Sequence, residues 1–120
     1  MKRVILIACC LIIGGCGFGE YQKKLREKEN NAIELVKSHE GSTAKTTTES
    51  IGLVAAIASA AGHKIEIVGW GADTDLKSDA ITVRFQIKDN GNTEEFRWAV
   101  SKEGKVSAVN ELATKVTKQN

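Results

Sequence analysis

The spacing of apolar residues changes character four times along the chain, and each change marks an element. Val4 to Ile13 is an unbroken apolar run. From Glu20 to about Glu40 the chain has no Gly and no Pro. Tyr21, Leu25, Ala32, Leu35, Val36 and His39 fall near one stripe there, interrupted by Lys28. That spacing predicts an amphipathic helix with a charged outer face. Gly41-Ser42-Thr43-Ala44 punctuates. Thr46-Thr47-Thr48-Glu49 then offers a Thr cap and an acid in the first turn of a second helix. Ile51 to Ala61 is apolar nearly all round and too short to span a bilayer, so a buried helix stopped by Gly62 is expected.

After Gly62 the period drops to two. Lys64-Ile65-Glu66-Ile67-Val68 alternates, and Gly69-Trp70-Gly71 signals a bulge or bend. Asp73 to Asp79 reads as a polar connection. Ile81, Val83, Phe85 and Ile87 alternate with polar residues, which predicts a half-buried strand. Asp89-Asn90-Gly91-Asn92 is a hairpin signal, and the return strand puts Phe96, Trp98 and Val100 on one face. Lys102 to Lys105 turns the chain into a short strand at Val106–Val109. Asn110 can cap a final helix running to about Lys118.

Helices first and strands afterwards predict an α+β fold. It has two N-terminal helices, an antiparallel meander of about four strands, and a short C-terminal helix. The order of elements, and the run from Phe96-Arg97-Trp98-Ala99-Val100 through Gly104-Lys105-Val106, resembles cystatin-like and PepSY-like small envelope domains. No family-specific binding motif matches, so the resemblance implies a fold and no functional residue.

The opening run carries the most specific signal. Lys2-Arg3 followed by a short apolar stretch has the build of an export signal, below the roughly 20 apolar residues of a spanning helix. Ile13-Gly14-Gly15-Cys16 then resembles the bacterial lipobox. In that family the cysteine sulfur receives a diacylglyceryl group and a peptidase cuts just before it. The resemblance implies cleavage between Gly15 and Cys16 and lipid on Cys16. Small residues leave the backbone accessible there, and the thiolate is the nucleophile. Leu6-Ile7-Ala8-Cys9 fits the same pattern but leaves only Val4 and Ile5 as an apolar region before it. The expected organisation is a leader over 1–15, a lipidated tether over 16–19 and one domain over 20–120. By the same resemblance, Gly17 in place of an Asp favours an outer-membrane anchor facing the periplasm.

Charge looks different once the leader is set aside. The chain has 17 Lys and Arg against 15 Asp and Glu. Lys2 and Arg3 account for the whole excess, so the remainder is formally neutral and nothing points to a nucleic-acid partner. Cys9 and Cys10 leave with the leader and Cys16 is consumed by lipid, so no disulfide can form.

Catalytic signals are sparse. His39 and His63 have no zinc-ligand spacing, and no G-x-S-x-G occurs. A Ser-His-Asp set assembled in space leaves no local sequence mark. Asp73, Asp75 and Asp79 lack the glycine and the distal Glu of a calcium loop. Glu94 and Glu95 are neighbours on one strand and point to opposite faces. No metal, cofactor or catalytic residue is assigned. Trp98 reads as core. Trp70, between two glycines, reads as a candidate exposed anchor for binding. The expected function is a non-enzymatic, lipid-anchored envelope module. Its partners would be the membrane, through the anchor, and another envelope protein or a cell-wall component. A small envelope hydrolase and a structural spacer are the alternatives.

Overall fold

The computed structural model describes residues 19–118 in full and residues 11–18 by backbone alone. The expected leader, the expected cleavage point at Gly15 and the expected lipidation site at Cys16 therefore lie outside the fully described residues. The elements are α1 (Leu11–Ser38), α2 (Thr47–Ala60), β1 (Ile65–Thr74), β2 (Ile81–Asp89), β3 (Asn92–Val100), β4 (Val106–Ala108) and α3 (Glu111–Val116). The strands form one antiparallel sheet in the order β1-β2-β3-β4, so the fold is α+β with a simple meander. Among the described residues no helix is long and apolar enough to cross a membrane.

Local chemistry accounts for the element ends. Thr46 caps α2 by accepting from the Glu49 amide at 3.2 Å. Asn110 caps α3 by accepting from the Ala113 amide at 3.1 Å, and its own amide donates to the Glu95 carbonyl at 2.8 Å. One residue thus starts α3 and fixes it to β3. The β2–β3 turn is a two-residue loop with Asn90 at φ 52° and Gly91 at φ 87°, the positive angles a hairpin of this hand requires.

The core forms where the alternation predicts it. Ile81, Val83, Phe85 and Ile87 of β2 meet Phe96, Trp98 and Val100 of β3 on one face. Ala32 and Val36 of α1, Ile51 of α2, and Ala113 and Val116 of α3 close over them. The opposite face is an open polar surface carrying Arg84, Gln86, Glu95 and Arg97.

Two links join segments far apart in sequence. The segment between α1 and α2 is zipped to the C-terminal tail: Ser42 N donates to the Val116 carbonyl and Lys118 N to the Glu40 carbonyl. This pairing ends α3 at Val116, short of the expected Lys118, because Thr117 is drawn into extended backbone opposite Gly41. Buried Thr117 then accepts a hydrogen bond from Trp98 Nε1 at 2.6 Å. Gly41 is a close-approach glycine, where a Cβ would overlap Ser50 Oγ and the Thr46 carbonyl. Ser50 and Thr47 are fully buried and spend their hydroxyls on this loop: Ser50 Oγ accepts from Ala44 N, and Thr47 Oγ1 donates to the His39 carbonyl.

Candidate functional site

Trp70 is not the exposed anchor expected from its flanking glycines. It is half-buried and packed against the core. Its ring centroid lies 4.7 Å from that of Phe85 and 5.5 Å from that of Trp98, and the Lys37 ammonium sits 5.6 Å from its centre. The cause is a bulge. Ile67 pairs with Ile87, but Gly69 pairs with Gln86, so β1 contains one extra residue between them. Had Val68 paired in line instead of bulging out, Trp70 would lie opposite Arg84, on the open polar face. With the bulge, Trp70 lies opposite Phe85 and joins the helix-facing side. Gly69, at φ 136°, supplies the backbone angle the bulge needs. The glycines signal the bulge, but the change of side it imposes on Trp70 is set by cross-strand register and leaves no local mark in the sequence.

The second correction concerns α2, expected to be buried all round. Its inner side holds Ile51, Val54, Ala55 and Ala58, which border a small apolar cleft against Ile65, Ile87, Phe96 and Leu112. Its outer side is open. Leu53 is 44% exposed and Ile57 is 68% exposed, and Gly52, Ala56 and Ala60 are exposed beside them. One layer of sheet can cover only one side of this helix, and no further element lies beyond it among the described residues. Nearby β1 adds to the surface. Ile67 stands on the helix-facing side, opposite Ile87, yet is 62% exposed, and the next residue, Val68, is exposed as well. The face is apolar without a charged side chain from Gly52 to Gly62.

The other chemistry-bearing residues are engaged locally. His39 Nε2 donates to the Lys118 carbonyl at 3.0 Å. His63 Nδ1 bonds Asp89 at 2.8 Å, and beside it Lys64 N donates to Asn90 Oδ1 at 2.8 Å. Together these fasten the end of α2 to the hairpin. A histidine held by an aspartate is two-thirds of a hydrolytic triad, but no hydroxyl bonds the ring among the described residues. Asp75 accepts from Lys77 N and from Ser78 Oγ, which hold its carboxyl below the usual carboxylate range. Asp73 instead pairs with Arg84. The three aspartates of the connection do not converge, and among the described residues no cluster of three metal-ligating side chains occurs.

The open sheet face carries a charge ladder. Arg84 and Arg97 are direct cross-strand neighbours, each answered by a carboxylate. Arg84 pairs with Asp73 and lies over Gly71, where a Cβ would come within 3.3 Å of its guanidinium. Arg97 Nε donates to Glu95 at 2.7 Å, and Gln86 donates to the same carboxylate at 2.9 Å. Like charges directly opposite destabilise a sheet, and these two acids offset that. Glu94 lies on the other face, as the alternation predicts. The ladder is satisfied within itself, which leaves the α2 side as the distinctive surface.

No protein-family model matches the chain, and no curated protein or solved structure matches it.

Proposed function

We propose that this chain is a lipid-anchored cell-envelope protein whose domain binds another envelope protein, without catalysis, through the open face of α2. The anchor half of the reading rests on Lys2-Arg3, the apolar run and Ile13-Gly14-Gly15-Cys16. The binding half is carried by one observation: Leu53, Ala56, Ile57 and Ala60 form an exposed apolar helix face, with Ile67 and Val68 exposed on the adjacent strand. Contiguous exposed apolar surface on a small domain marks an interaction site. The small residues permit close approach of a partner's backbone, and Leu53 and Ile57 supply the apolar anchors. This reading moves the binding surface from Trp70 to α2.

Each half has its own test. Labelled palmitate enters the wild-type protein and not Cys16→Ser; equal labelling of both overturns the anchor. Tagged wild-type protein retains a specific partner from envelope extract, and Ile57→Lys loses it while Trp70→Phe keeps it. Loss with Trp70→Phe and retention with Ile57→Lys would return the site to Trp70.

A further inference from the structure

We infer that the end of the domain nearest Cys16 docks on the anchoring bilayer, with anionic phospholipid as its ligand. This rests on the lipid-anchored reading and adds an orientation to it.

The first argument is reach. Three residues separate Cys16 from Glu20, so even fully extended the four residue steps span only about 14 Å. That keeps the start of the domain close to the zone, about 8–10 Å deep, where a charged surface is felt at physiological salt. The second argument is charge. Between Glu20 and Glu29 the cations Lys23, Lys24, Arg26 and Lys28 outnumber Glu20, Glu27 and Glu29, the last of which accepts from Thr74 on the groove wall at 2.8 Å, in a chain that is neutral beyond its proposed leader. All four cations are exposed. The third is apolar surface at the same end. Tyr21 is 52% exposed, and Leu76, on the β1–β2 connection, is 69% exposed.

Two of the cations, Lys24 and Lys28, share with Tyr21 and Leu76 one groove of about 190 Å³ between α1 and the β1–β2 connection. Tyr21, Leu25 and Leu76 line it with Lys24 and Lys28, and Asp79 is the one acid on its wall. Ammonium groups bordering an aromatic and a leucine suit a bilayer interface. The cations reach phosphate level, and the apolar groups reach the acyl boundary. Lysine stems allow this without burying charge. The docked end also fixes where α2 points. The cleft under α2 is lined by Ile87, Asp89 and Phe96, toward the hairpin end of the sheet, whereas the groove is lined by Thr74 and Ile81 at the other. Nine-residue β2 separates those ends by about 30 Å. Docking therefore holds the open α2 face away from the bilayer and toward a partner.

The test uses the whole lipidated protein, reconstituted in phosphatidylcholine vesicles with or without phosphatidylglycerol. The anchored chain has no other free thiol, so Leu76→Cys and Ser59→Cys each take a single environment-sensitive fluorophore. In vesicles containing phosphatidylglycerol, nitroxide-bearing lipid is expected to quench the label at 76 severalfold more than the label at 59. That difference should collapse without phosphatidylglycerol, in high salt, and in a Lys24→Glu, Lys28→Glu background. Equal quenching at 76 and 59 in the anionic vesicles overturns the docked orientation. Strong quenching at 76 that survives both salt and charge reversal overturns the anionic ligand. Flotation with the vesicles is scored separately: protein that takes no palmitate and does not float overturns the anchor itself.

Discussion

Two apolar regions of this small domain have opposite fates. Trp70, Phe85, Phe96 and Trp98 form a closed aromatic stack between sheet and helices, with Trp98 fully buried and hydrogen-bonded to Thr117. The outer side of α2 is as apolar in sequence and remains open, with Leu53 and Ile57 in solvent. The difference does not lie in composition. The aromatic group lies between the sheet and the helices, with only Trp70 half-buried, whereas the single sheet can cover only the inner side of α2. The comparison teaches that burial is decided by which element stands opposite. An apolar side with none opposite is the feature to explain by function.

Breaking the closed region should have the largest effect. Trp98→Ala leaves a cavity and strands the buried Thr117 hydroxyl, so a loss of about 3–5 kcal/mol is expected in urea denaturation. A loss below about 1 kcal/mol would mean the stack is not the core. Trp70→Ala comes next, at about 2–3 kcal/mol, because its ring is only half-buried. Trp70→Phe is milder and should leave partner capture intact.

A smaller effect tests the open sheet face. The Glu95 carboxyl is held below its ordinary value chiefly by the Gln86 hydrogen bond, then opposed by burial and aided by Arg97. A carboxyl with a lowered folded value contributes stability above the ordinary carboxylate range and loses it as pH falls through the folded value. Glu95→Gln should therefore cost under about 1 kcal/mol at neutral pH. The gap from wild type should close in acid. A gap that widens in acid would contradict the assignment. The smallest effect belongs to the open helix face. Ile57→Lys should shift stability by no more than about 0.5 kcal/mol, since the side chain already stands in solvent. A loss of about 2 kcal/mol would show that α2 is covered in solution.

The same contrast explains what was legible in the sequence. Alternation from Ile81 to Ile87 and from Phe96 to Val100 identified the core strands, because a two-residue period has one physical cause. Asn90-Gly91, Thr46 and Asn110 announced a turn and two caps for equally local reasons. Trp70 was misplaced because its side depends on where the extra residue sits in the pairing of β1 with β2, a register matter that no local spacing encodes. The α2 error has a similar origin: an all-round apolar helix shows that it can be buried, but not how many layers the fold provides. The zipper between Gly41 and Thr117 was invisible because its halves lie far apart in the chain. The proposed leader and anchor, by contrast, rest wholly on local features in residues 1–16.

The most direct measurement places a photo-crosslinking amino acid at Leu53 in the full chain expressed in intact cells, where the proposed anchor would hold it at the envelope. The account predicts one discrete protein adduct from Leu53, none from Thr93 of the sheet, and loss of the Leu53 adduct when Ile57→Lys is added. No adduct from Leu53, or one that Ile57→Lys leaves unchanged, would contradict the claim that the open face of α2 is where this protein meets its partner.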